Sequence, residues 1–173
     1  MRVRIEDLPP EGLMVALGDE QAWARAVLTQ ALEGELIALR GHLRVRAVGP
    51  GAVVEGEAHA SFRRACDRCL AEVRLDLGDE IDLYFQPPQP FSGEREIGLG
   101  ADDLDVGFVD GGELDLGAVL AEFFLLEAPS VLRCGEPGVT RQEPGACETP
   151  GGGGEVAAPV DPRLAALLSF EDE

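Results

Sequence analysis

Two long runs of alternating apolar and polar residues meet at Cys66-Asp67-Arg68-Cys69-Leu70, and they constrain this chain more than any other feature. Before the junction, Val54, Ala58, Ala60 and Phe62 share one parity, while Glu55, Glu57, His59, Ser61 and Arg63 hold the other. After it, Cys69, Ala71, Val73, Leu75, Leu77, Ile81, Leu83 and Phe85 share one parity against Glu72, Arg74, Asp76, Glu80 and Asp82. A period of two over such lengths predicts two half-buried β-strands, with a tight turn between the cysteines. If Cys66 faces Cys69, Arg63 falls opposite Glu72 and His59 opposite Asp76 on the wet face. Phe62 then meets Val73, and Ala60 meets Leu75, on the dry face. That register matches charge to charge and apolar group to apolar group, as cross-strand pairing favours.

The residues upstream extend the pattern. Ile37, Leu39, Leu43, Val45 and Ala47 alternate with Arg40, His42, Arg44 and Arg46, and Val48-Gly49-Pro50-Gly51 turns this strand back on the next. Closing that turn places Arg44 opposite Glu55 and His42 opposite Glu57. An antiparallel meander of three strands therefore spans about residues 36 to 86, long enough to curl toward a barrel. Short strands are expected at Arg2 to Ile5 and Leu13 to Leu17, and Asp7 to Gly12 reads as the turn between them. Asp19 reads as the N-cap of a helix carrying Trp23, Ala26, Val27, Leu28 and Ala31, ended by Gly34. Gln86 to Gly100 is rich in Pro and Gly and reads as a mobile loop. A strand from Leu104 to Val109 and a turn at Asp110-Gly111-Gly112 follow. Asp115 caps a second helix, with Leu116, Val119, Leu120, Phe123 and Phe124 on its apolar face.

The whole is expected to be an α+β fold: an antiparallel sheet, two packed helices and a flexible C-terminal tail. Residues 1–130 form the domain. Residues 131–160 are Gly- and Pro-rich and read as a linker. Residues 161–173 open on Asp161-Pro162, a cap followed by Pro at the first helical position, and read as a short helix with an acidic end.

Charge bears on partners. The formal net charge is −19, and all 14 basic residues are arginine. Residues 40–74 hold seven Arg against four acids, so the remainder carries −22. Such a chain repels bare nucleic acid at long range and suits basic proteins as partners. No charged-then-apolar leader and no apolar run of about 18 residues is present, which predicts a cytoplasmic protein without a membrane partner.

Four cysteines in a reducing compartment point to metal, redox chemistry or plain thiols. Cys66 and Cys69 supply half of a zinc knuckle; Cys134 and Cys147 are the weaker candidates for the other half, their spacing being unlike a knuckle. Two reduced thiols packed at a hairpin tip is the competing reading. A redox dithiol is a third, although such pairs usually sit at a helix N-terminus rather than between strands. Arg40, Arg44, Arg46 and Arg63 form a possible RNA face, set against the alternative that cross-strand acids pair them off. That face lacks the aromatic platforms of single-strand binders. His42 and His59 fall on the same wet face and read as solvated residues. No nucleophile elbow, Walker loop or other catalytic constellation emerges.

A meander ending in Cys66-Asp67-Arg68-Cys69-Leu70 resembles the signature of the YceD (DUF177) family. Gly112-Glu113-Leu114-Asp115-Leu116, Leu125-Leu126-Glu127-Ala128-Pro129 and Asp161-Pro162-Arg163-Leu164-Ala165-Ala166-Leu167 are similar to further segments of that family, in the same order. The resemblance marks Cys66, Arg68, Cys69, Leu70, Asp161, Pro162 and Arg163 as signature positions. It implies a role in accumulation or processing of large-subunit (23S) ribosomal RNA, contacted directly or indirectly, and no enzymatic activity. Many relatives carry a second cysteine motif after the proline segment, which this chain lacks. Joined to the charge, it implies an acidic assembly factor that holds a basic ribosomal protein or a pre-ribosomal large subunit. The alternative is a zinc- or RNA-binding module built on the cysteine hairpin and the arginine strands.

Overall fold

A computed structural model describes residues 1–88, 106–143, 145 and 147. Strand β1 (Arg2–Arg4) leads through a single 3-10 turn (Ile5–Asp7) to β2 (Leu13–Leu17) and helix α1 (Ala22–Ala31). The meander follows as β3 (Glu35–Val48), β4 (Gly51–Ala65) and β5 (Glu72–Gln86). Then come β6 (Val106–Phe108), β7 (Glu113–Asp115), α2 (Leu116–Glu127) and β8 (Val139–Arg141). The architecture is α+β, as the alternation predicts. The main sheet runs β2-β3-β4-β5-β6, with β8 also on β5, and β1 pairs β7 in a separate two-stranded ribbon. All pairings are antiparallel except β5 with β6. The sheet stays open instead of curling into a barrel. Helices α1 and α2 pack on each other, against β3 and β5 respectively, so the apolar face is buried without closure.

The core follows the alternation. Val54, Ala58, Ala60 and Phe62 of β4 are buried, as are Val73, Leu75, Ile81 and Phe85 of β5. Phe124 of α2 meets Phe62 edge-on, with centroids 6.2 Å apart, and this contact ties the second helix to the sheet. Asp115 caps α2 through its carboxylate, which accepts the Gly117 N–H at 2.9 Å. Asp19 does not cap α1. That helix begins at Ala22 behind Gln21, and Asp19 instead accepts the Leu39 N–H at 2.7 Å, tethering the helix entry to β3. Its buried stripe is Ala24, Leu28 and Leu32, while Ala26 faces solvent.

Composition reads residues 131–160 as linker, yet within the described part of that stretch residues are buried and a short strand joins the sheet. Leu132 is buried, and Val139–Arg141 pairs with Val73 to Leu75. Short apolar segments with no periodicity of their own can still be captured by an open sheet edge. The loop expected over Gln86 to Gly100 lies mostly outside the described residues. So does the C-terminal segment with Asp161, Pro162 and Arg163. Among the described residues, no helix is long and apolar enough to cross a membrane.

Candidate metal centre and the arginine face

The turn between β4 and β5 is wider than two residues. Ala65 pairs with Glu72, the Cys66 N–H donates to the Ala71 carbonyl at 2.9 Å, and the Leu70 N–H donates to the Cys66 carbonyl at 2.9 Å. Leu70 closes the loop at φ +59°, the left-handed region. The two cysteines therefore do not face each other as a cross-strand pair. Phe62 lies opposite Leu75 and Ala60 opposite Leu77, a register displaced by two residues from the charge-matched one. A two-residue displacement leaves every side chain on its expected face.

This turn aims backbone donors at sulfur. Burial alone would push the Cys66 thiol up, but the backbone N–H groups of Cys69, Arg68 and Cys134, together with the Cys69 side chain, hold it down at about 6. Cys66 is fully buried, so this thiolate is out of reach of a bulky substrate; a dithiol reagent needs access. Desolvation and its sulfur neighbours push Cys134 up to about 12 and raise Cys147 as well.

The chain brings Cys134 and Cys147 to the same place. Asp67 is the fastener: its N–H donates to the Leu132 carbonyl at 2.8 Å, and its carboxylate accepts the Leu132 N–H at 2.6 Å. Strand β8 secures the far side of the segment through the Asp76 N–H to the Gly138 carbonyl and the Gln142 N–H to the Glu72 carbonyl. As a result the four sulfurs lie within 4.8 Å of one another. Cys66 Sγ and Cys147 Sγ are 3.7 Å apart, and Cys69 Sγ and Cys134 Sγ are 3.6 Å apart. These exceed a disulfide bond, about 2.05 Å. They match the edge of a tetrahedron with metal–sulfur bonds of about 2.3 Å, which is roughly 3.8 Å. Two edges thus have tetrahedral length and the remaining ones lie within 4.8 Å, a cluster compatible with a four-thiolate metal site. Sequence spacing undervalued Cys134 and Cys147, because their approach depends on Asp67 and on β8 rather than on a second short motif.

The arginine face is largely spoken for. Register on the β3 side is as the turn predicts, with Arg44 opposite Glu55 and His42 opposite Glu57. Arg46 grips Glu55 through two hydrogen bonds of 2.6 and 3.2 Å, which hold the Glu55 carboxyl below its ordinary range. Arg44 donates to the Glu11 carbonyl, and Arg63 pairs with Glu35 at 3.0 Å and Glu72 at 3.4 Å. Arg40 makes no hydrogen bond or ion pair among the described residues. His42 and His59 flank the Glu57 carboxylate at 3.6 and 4.0 Å. The β4–β5 register sets like charges directly opposite: Arg63 against Arg74, Glu57 against Glu80, and Glu55 against Asp82.

A family model described as "Large ribosomal RNA subunit accumulation protein YceD" matches residues 54–171, about two-thirds of the chain. The chain belongs to the YceD family. The match begins in β4 and takes in the cysteine turn, α2, β8 and all four clustered cysteines, so the candidate centre falls wholly within the YceD region. No curated protein and no solved structure matches the chain.

Proposed function

We propose that this YceD-family chain is a non-enzymatic cytoplasmic factor that supports accumulation of large-subunit ribosomal RNA by holding a basic ribosomal protein or a pre-ribosomal intermediate. Family membership is the observation that carries this reading. The charge pattern supports the manner of binding. Glu80 and Asp82 are exposed, sit opposite Glu57 and Glu55, and make no ion pair among the described residues. Opposed like charges destabilise a sheet, and a cationic partner laid across them would relieve that repulsion.

The four-cysteine centre has a structural part in this reading. Cys66, Cys69, Cys134 and Cys147 would hold a zinc ion, which when bound cross-links the β4–β5 turn to the segment before β8. Zinc held by four protein ligands leaves no open position for substrate, in keeping with a non-enzymatic role.

A pull-down from lysate at low and moderate salt, reading both protein and RNA, tests the proposal. Capture of a basic large-subunit protein or pre-ribosomal particle, lost as salt rises, supports it; exposed charges are screened beyond about 10 Å at 0.1 M. Salt-insensitive capture, or capture of neither, counts against it. Retention of RNA after all protein has been stripped away favours the second reading, a nucleic-acid-binding module. The uncommitted guanidinium of Arg40 is the observation behind that alternative.

A further inference from the structure

Arg40 and Arg64 are the arginines of the long strands to which the described residues give no hydrogen bond or ion pair, and Arg40 is the more exposed of the two. Arg44 is bound to a carbonyl, Arg46 and Arg63 to carboxylates, and Arg74 to Asp76 and Ser61. Arg40 is exposed and has no such partner among the described residues, in a chain with a net charge of −19. A guanidinium that is hydrogen-bonded to none of the described residues, and that meets Asp76 only through its field, calls for a physical account on so acidic a protein.

Its surroundings supply one. Arg40, His59 and Gly78 form one row across β3, β4 and β5, and Ala38, Ser61 and Asp76 form the next. Gly78 and Ala38 leave the floor of these rows without bulk. At Gly78 φ is +149°, and a Cβ there would lie 2.4 Å from the His59 ring nitrogen. Gly41, beside Arg40, has φ +143°, and a Cβ there would lie 2.2 Å from the Glu57 carbonyl oxygen. The result is a cleft of about 460 Å³ lined by Arg40, His59, Ser61, Arg74, Asp76 and Gly78. A second cleft of about 390 Å³ shares Arg40 and His59 with it and adds His42 and Glu57.

The polar groups of the first cleft are ordered. Ser61, nearly buried, donates to Asp76 at 2.5 Å; Arg74 donates to the Ser61 hydroxyl and to Asp76, each at 2.9 Å. Arg74 thereby balances Asp76. Arg40 feels Asp76 only through its field, so the two guanidinium groups of the cleft outnumber its one carboxylate, with the His59 ring beside them as a further donor.

We propose that this cleft binds a phosphoryl group, with Arg40 as its principal ligand and His59 beside it. A guanidinium matches two phosphate oxygens at once, and such charge-assisted pairs are among the stronger hydrogen bonds. Glu57 lines the adjoining cleft that shares Arg40 and His59, and its negative charge limits the site to one phosphate and not a run of them. The phosphate can belong to an RNA backbone or to a free nucleotide or ion. The inference leans on the ribosomal reading only for that source: purified probes can bind when lysate capture fails, and the reverse.

The test uses the full chain and three probes: a labelled single-stranded oligouridylate of 12 residues, AMP and inorganic phosphate. Arg40→Gln is compared with wild type and with Arg4→Gln, which makes the same charge change where Arg4 pairs with Glu6. Arg40→Gln is expected to weaken the oligonucleotide about tenfold, the size of one charged hydrogen-bonding contact. It should also reduce the slope of log affinity against log salt by about 0.7, one single-strand phosphate contact. Arg4→Gln should match wild type, and all three should melt together. Tighter binding of the oligonucleotide than of AMP assigns the phosphate to RNA; equal binding, with displacement by inorganic phosphate, assigns it to a free phosphoryl ligand. Three results overturn the proposal: wild type binding none of the probes at low salt, Arg40→Gln binding like wild type, or Arg4→Gln losing as much as Arg40→Gln.

Discussion

Leu70 holds φ +59° at the end of the cysteine turn while its side chain is 67% exposed. An L-residue in that region costs about 1–2 kcal/mol, and glycine removes that cost while gaining freedom in the unfolded chain. Leu70→Gly should therefore leave the turn intact and stabilise the protein by roughly 0.5–1 kcal/mol, read by urea unfolding. A loss of stability would mean that packing of the Leu70 side chain outweighs the backbone cost. Asp76 gives a test by pH. Burial would raise its carboxyl, but the Ser61 hydroxyl and the Arg74 guanidinium outweigh burial and lower it. A carboxyl depressed in the folded state adds stability above its unfolded value of about 3.9 and loses it as pH falls through the lower native value. Asp76→Asn should be the less stable protein at pH 7, and the gap to wild type should close as the solution is taken toward pH 2. A gap that stayed constant would assign Asp76 a neutral hydrogen-bonding role.

The strands of the meander were legible because Val54 to Phe62 and Val73 to Phe85 keep strict parity, and parity survives a displacement of two. Register was legible only where a short turn sets it. Val48-Gly49-Pro50-Gly51 fixes Arg44 on Glu55, whereas charge matching on the other side pointed to Arg63 on Glu72 and the cysteine turn imposes Arg63 on Arg74. The sulfur-directed turn and the dry-face packing outweigh surface ion pairs, each worth little. Strand β8 could not be read at all. Val139 to Arg141 has neither length nor alternation, and it exists because the edge of β5 and the Asp67–Leu132 hydrogen bonds hold it. That dependence makes a prediction for the centre. If the four thiolates hold zinc, removing it with a chelator should raise amide hydrogen exchange across residues 132–143 and in the turn, because a metal-bound state of the ligands is part of their folding energy. Exchange in β3 and the first half of β4 should change little. Cys134→Ser should reproduce the chelated pattern without chelator, and uniform loss of protection would show that the centre supports the whole sheet.

Across the whole molecule, the carboxylates of the outer face divide into two kinds. Glu55, Glu35, Glu72 and Asp76 answer arginines. Glu80 answers the Glu57 carboxylate across the strand, while Asp82, opposite Glu55, also lies in the field of Arg46. A fold under pressure for stability alone has an easy remedy, since a neutral or basic residue at position 80 would turn repulsion of Glu57 into neutrality or attraction. Glu80→Gln should therefore stabilise the isolated protein by roughly 0.2–1 kcal/mol at low salt, the range for a cross-strand pair. The gain should shrink as salt screens the exposed pair. The Asp79 carboxylate accepts the Glu80 backbone N–H, a contact that survives the change. If the strip serves a basic partner, the same variant should capture less of it in the low-salt pull-down while folding better. The two readouts then move in opposite directions, which a merely destabilising substitution cannot produce. Greater stability with undiminished capture would make the strip a solvated face and move the partner elsewhere on the molecule.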